Sequence, residues 1–127
     1  MFGWTKVLLT IAACSAALPA GAQVAAPTTA FDGKYAGVSR EFSKSPGAPR
    51  AKCTPNSTPA ALTIKNGVVE MPGGQGWQGT VNPQGTLAMH NRGELRFDGQ
   101  IDNQGTIRGQ AANTGCIYTF VWRKQSG

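Results

Sequence analysis

The chain has 127 residues, with 12 Lys and Arg against 6 Asp and Glu for a net charge of +6, and 8% aromatic residues. That length supports one domain with one modest core. A single histidine and three cysteines exclude the common His- and Cys-rich metal frames, while the basic excess favours anionic partners.

The first residues carry one charge, Lys6, then run apolar from Val7 to Leu18 and end in Pro19-Ala20-Gly21-Ala22-Gln23. A charged start, an apolar run of about a dozen residues and an Ala-x-Ala site make a secretory signal; a membrane helix needs roughly twenty apolar residues. Residues 1–22 are therefore set apart from the fold, and the mature domain is expected to be periplasmic or extracellular. A competing reading of the same stretch is Ile11-Ala12-Ala13-Cys14, the loose pattern ahead of a lipidated cysteine, which would leave Cys14 acylated and the domain anchored to a membrane.

Cleavage after Ala22 leaves 105 of the 127 residues and removes Lys6 and Cys14, so 11 basic and 6 acidic residues remain, net +5, with two cysteines. An even pair in an exported chain reads as a disulfide, Cys53 to Cys116. Closing that loop of 63 residues would stabilise the domain by ~4 kcal/mol in the chain-entropy account.

Residues 23–30 have no periodicity and read as a flexible leader. The β domain is expected over 31–124, with a short tail at 125–127. It opens with Phe31-Asp32-Gly33-Lys34-Tyr35-Ala36-Gly37. The span 43–60 holds four prolines and a glycine with no apolar repeat and reads as a long loop, made basic by Lys44, Arg50 and Lys52. Leu62–Lys65 and Val68–Met71 flank Asn66-Gly67, a strong signal for a two-residue hairpin.

After a Gly-rich link at 72–76 the chain repeats itself. Trp77-Gln78-Gly79-Thr80-Val81-Asn82-Pro83-Gln84-Gly85-Thr86-Leu87 is matched twenty residues later by Phe97-Asp98-Gly99-Gln100-Ile101-Asp102-Asn103-Gln104-Gly105-Thr106-Ile107. Each copy is a hairpin whose Asn or Asp opens a type I turn and whose fourth residue, Gly, supplies a bulge at positive φ. Strands are expected near 77–82, 85–90, 94–101 and 105–111. The closing strand, 116–124, is apolar on both faces and should seal a barrel against the first strand or lie inside a sheet.

Alternate residues give one inner face: Phe31, Gly33 and Tyr35; Trp77, Gly79 and Val81; Leu95, Phe97, Gly99 and Ile101. The residues between them are polar. An inward Gly beside an aromatic suits a strongly curved sheet, because a neighbouring ring can cover the gap. The fold class is all-β, an antiparallel eight-stranded meander with one disulfide, an up-and-down barrel being favoured over a two-sheet sandwich.

No chemistry-bearing motif stands out. His90 is placed on the polar face at a strand end, and Asp32, Glu41, Glu70, Glu94, Asp98 and Asp102 are scattered, with no nucleophile elbow, phosphate loop or dinucleotide fingerprint. The expectation is a protein without catalytic centre, metal or cofactor. Tyr35, Trp77, Phe97, Tyr118, Phe120 and Trp122 could line a pocket for an apolar ligand or simply form the core. Arg40, Lys44, Arg50 and Lys52, clustered near one loop, suggest contact with an anionic envelope component or an acidic protein. Nucleic acid is disfavoured by export and by the lack of an aromatic-basic signature.

The frame Phe31-Asp32-Gly33-x-Tyr35-x-Gly37, Leu62-Thr63-Ile64-x-x-Gly67-x-Val69, two Gly-rich hairpins and a closing Cys116-x-Tyr118-x-Phe120-x-Trp122-Arg123 resembles small secreted proteins of unknown function from alphaproteobacteria. In size, export signal and strand number the chain is also distantly similar to the periplasmic β-barrel inhibitors of secreted metalloproteases. Those usually hold their disulfide within the first half of the domain, whereas here Cys53 would reach the last strand. The expected role is a binding or envelope-associated one, with a protease inhibitor and a small-ligand carrier as alternatives.

Overall fold

The computed structural model describes Gly3 and residues 28–73, 76–93 and 95–126. Apart from Gly3, the signal at 1–22 with its Cys14 lies outside the described residues, as do the leader up to Pro27 and Glu94 at the expected start of a strand.

Eight antiparallel strands follow one another around a closed barrel: β1 (Gly33–Lys44), β2 (Leu62–Lys65), β3 (Val68–Met71), β4 (Trp77–Val81), β5 (Thr86–His90), β6 (Arg96–Ile101), β7 (Thr106–Asn113) and β8 (Cys116–Lys124). β8 closes the ring by pairing with both β7 and β1. The barrel, and not the sandwich, is the architecture.

One end is made of tight turns. Asn66 (φ 53°) and Gly67 (φ 75°) join β2 to β3, the two positive-φ residues of a type I′ hairpin, and Asp32 accepts the Asn66 amide at 3.0 Å. The tandem turns are built alike. Asn82 Oδ1 accepts the amides of Gln84 and Thr86, and Asp102 Oδ1 accepts those of Gln104 and Thr106. Gly85 and Gly105 follow at φ 82° and 78°, the left-handed conformation that L side chains adopt only with strain. Each turn is then stitched to the next hairpin: the carbonyls of Gly67, Gly85 and Gly105 accept the amides of Val81, Ile101 and Lys124 at 2.8–2.9 Å. This repeated stitch is what the repeated sequence encodes.

Inside, Tyr35, Leu62, Ile64, Val69, Leu87, Phe97, Ile107 and Trp122 are essentially without solvent exposure. Phe97 meets Phe120 and Trp122 edge-on, with centroids 5.6 and 5.5 Å away, while Phe120 and Trp122 stack at 5.3 Å. Such edge-to-face pairs are favoured by the ring quadrupole. The Phe97 ring lies over two inward glycines: a methyl on Gly99 would fall 2.7 Å from Phe97 Cε1, and one on Gly109 would collide with the same ring. The inward glycines of β6 and β7 are therefore the floor on which the largest aromatic cluster rests.

β1 departs from the expected boundaries. It runs to Lys44 and breaks register between Gly37 and Ser39, so the loop expected over 43–60 begins two residues later, and Lys44 stands on a strand. The physical reason is its partners. β8 pairs with β1 as far as Lys44 opposite Cys116, whereas β2 reaches only Tyr35. The edge left bare beyond Tyr35 is covered by the loop itself, Arg40 and Ser57 exchanging backbone hydrogen bonds of 2.7 and 3.0 Å, and Asn56 Oδ1 accepting the Phe42 amide at 3.0 Å. A covered edge is a protected one.

Candidate functional site: the hooded mouth of the barrel

The end opposite the tight turns is roofed by residues 45–61, a hood. Its middle is fastened by the Cys53–Cys116 disulfide, with Cα atoms 5.7 Å apart. Its beginning is held by the Ser45 amide on the Gly115 carbonyl at 2.9 Å and by Lys44 Nζ on the Pro49 carbonyl at 2.9 Å. Its end is held by the Trp122 indole N–H, which donates to the Ala60 carbonyl at 2.9 Å. Pro59 packs so tightly over Gly37 that a methyl there would overlap the Pro59 carbonyl. Although rich in proline, the segment is anchored along its length.

Beneath the hood lies a cleft of about 430 Å³. Its floor is the rim of the core, Met71, Trp77 and Phe120, and its walls are Arg40, Thr54 and Tyr118, with Leu95 and Asn113 at the margin. The register explains why Arg40 faces inward: it stands opposite Phe120, with Phe42 opposite Tyr118, and opposed residues of an antiparallel pair share a face. β1 and β8 thus continue past the barrel as a ribbon whose concave side carries Arg40, the exposed ring of Phe42 and Tyr118.

Arg40 Nε is buried and has no hydrogen-bond partner among the described residues. A buried donor left unpaired costs ~1–3 kcal/mol, more when charged. Beside it the Tyr118 hydroxyl accepts the Thr54 amide at 2.9 Å. Hydrogen bonds from the Thr54 side chain and backbone, then one from Asn113 and the charge of Arg40, hold the Tyr118 phenol below its ordinary value of 10.0, against the opposing effect of burial. Tyr35, deep at the other end, is the reverse: desolvation first, then the nearby Asp32 carboxylate, raise its phenol above that value, and its O–H donates to the Phe31 carbonyl at 2.6 Å.

The four cations read from the sequence come together at this end but not in one role. Arg40 points into the cleft, Lys44 is tied along the hood, and Arg50 and Lys52 are exposed on it. Cations also stand toward the turn end, where Lys34, Lys65 and Lys124 are exposed, so charge alone does not select the hooded end; the cleft and the fastened loop do.

All six aromatics, Tyr35, Trp77, Phe97, Tyr118, Phe120 and Trp122, are buried. Among the described residues the space between Met71, Trp77, Met89, Phe97, Phe120 and Trp122 is too small for a water molecule, so the centre of the barrel is core and room for a ligand lies at the mouth. His90 is exposed at the end of β5, and no group of three His, Cys, Asp or Glu among the described residues is close enough to hold a metal. No helix among them is long and apolar enough to cross a membrane. Thr54 and Asn113, which shape the cleft around Tyr118, read in sequence only as loop and turn residues; nothing local to them signals the site.

Comparison with protein-family models, with curated proteins and with solved structures finds no match for this chain.

Proposed function

We propose that the protein is an exported, non-catalytic binding domain that meets an anionic component of the cell envelope through the hooded end of its barrel. The observation that carries this reading is the fastened hood, which presents Arg50 and Lys52 to solvent beside Lys44 while its backbone is held by a disulfide and by hydrogen bonds to β1 and β8. A loop ordered before binding loses less entropy on contact than a free one. The disulfide supports an oxidising compartment. The test is sedimentation with vesicles of phosphatidylglycerol in phosphatidylcholine. Bound protein should fall steeply with added salt, as screening shortens to ~10 Å at 0.1 M, and purely zwitterionic vesicles should bind none. Equal binding to both kinds of vesicle, or no binding to the anionic ones at low salt, would remove the proposal.

Protease inhibition stands beside it as a second reading, because a stapled surface loop has the fixed shape that a protease cleft can grip. The chain enters the barrel at the turn end, where Thr28 packs on Gly67, and the hood covers the opposite end. Leader and hood are thus two separate candidates for the segment a protease would grip. Deleting residues 23–27 or replacing 46–52 with a neutral linker should separate the two, and a purified metalloprotease unaffected by the intact protein removes both.

A further inference from the structure

The hood cations explain attraction to a charged surface, yet they leave Arg40 unexplained. Its side chain turns inward on the Phe120 face, its Nε is buried without a partner among the described residues, and none of those lining the cleft is acidic. A guanidinium presents Nε–H and one terminal N–H side by side, a fork that fits the two oxygens of a carboxylate. The lining of the cleft mixes the apolar Trp77, Met71 and Phe120 with the polar Thr54, Ser57 and Asn113. At about 430 Å³ the cleft lies within the volume range of sites for small organic molecules.

We propose that the mouth of the barrel binds a small amphipathic carboxylate, its carboxylate accepting the Nε–H and a terminal N–H of Arg40 and its apolar body lying on Trp77 and Phe120. The ligand docks at the rim and does not enter the filled centre. Thr54 and Tyr118, joined by a hydrogen bond from the Thr54 amide to the phenol, stand with Arg40 among the residues that line the cleft. The site is distinct from the exposed cations of the hood and does not depend on envelope binding.

The test is a titration of the isotopically labelled full chain with octanoate, following the NMR signals of the Arg40 Nε–H and the Thr54 amide. Octanamide, with the same body and no charge, and inorganic phosphate, with charge and no body, are run on the same wild-type protein. Both signals should move saturably with octanoate, and the amide and phosphate should each bind about tenfold more weakly or worse, because each lacks one half of the recognition. Arg40→Lys, which keeps the charge but removes the fork, should weaken octanoate by about tenfold as well. Octanamide or phosphate binding as tightly as octanoate, or an Arg40 Nε–H signal unmoved by octanoate, would overturn the proposal, and these readings do not require that the Arg40 variant fold.

Discussion

The indole N–H of Trp122 donates to the carbonyl of Ala60, 62 residues away, at 2.9 Å. Trp122 is the largest fully buried side chain, so one residue of the closing strand both fills the core and fixes the end of the hood. Trp122→Phe leaves most of the packing but strands the Ala60 carbonyl. It should lower stability by about 1–3 kcal/mol, read by chemical denaturation, and should speed hydrogen exchange in residues 57–61 more than in β4–β6.

The Cys53–Cys116 bridge closes a loop of 63 residues, and the chain-entropy account assigns it about 4 kcal/mol. Cys53→Ser with Cys116→Ser should cost an amount of that order in denaturation. Because the hood hangs from the bridge, the amides of Ser45, Ala51 and Thr54, each hydrogen-bonded in the intact protein, should lose protection before those of the strands.

Phe97 and its two glycines form a tight triplet. Gly99→Ala places a methyl against the Phe97 ring and should destabilise by about 1–3 kcal/mol through overpacking. Combined with Phe97→Leu, the same substitution should cost less than the sum of the two single changes, a coupling that a double-mutant cycle measures.

Much of this core was legible because the strands alternate with period two and the tandem copies mark their own turns: the eight strands, the favoured barrel and the disulfide follow from residues read in order, whereas the closing strand and the six aromatics each carried two readings until the closed ring and the burial of all six side chains were seen. The far half of β1 was not legible, because Ser39–Lys44 gains its second partner from the hood and carries an exposed Phe42, a pattern with no clean alternation. Between β5 and β6 Asn91 Oδ1 accepts the amides of Gly93 and Leu95 at 2.9 Å, the same arrangement as at Asn82 and Asp102, although this turn lies outside the tandem repeat that marks the other two. The cleft was invisible for a different reason. Arg40, Thr54, Asn113 and Tyr118 come from four segments, and only the folded register brings them together.

The two tyrosines should titrate on opposite sides of 10.0. For Tyr118 the lowered folded value means that the unfolded chain binds more protons in the window just below 10.0, so its contribution to stability grows as pH rises through that window and is absent at lower pH. For Tyr35 the raised folded value means that the folded chain holds its proton longer, so its contribution is fully present below 10.0 and is lost as pH climbs above it. Phenolate absorbance against pH should show two steps. Tyr118→Phe should remove the earlier one and Tyr35→Phe the later.

The central claim is that contact is made by the hooded end and not by net charge. Two charge-matched variants test it: Lys44→Glu, Arg50→Glu and Lys52→Glu together at the hood, and Lys34→Glu, Lys65→Glu and Lys124→Glu together toward the turns. The measurement is the fraction bound to anionic vesicles at low salt, with thermal unfolding as the check that both remain folded. Loss of binding in the hood variant and its retention in the turn-end variant is the predicted result; equal loss in both, or loss only at the turn end, would contradict the account.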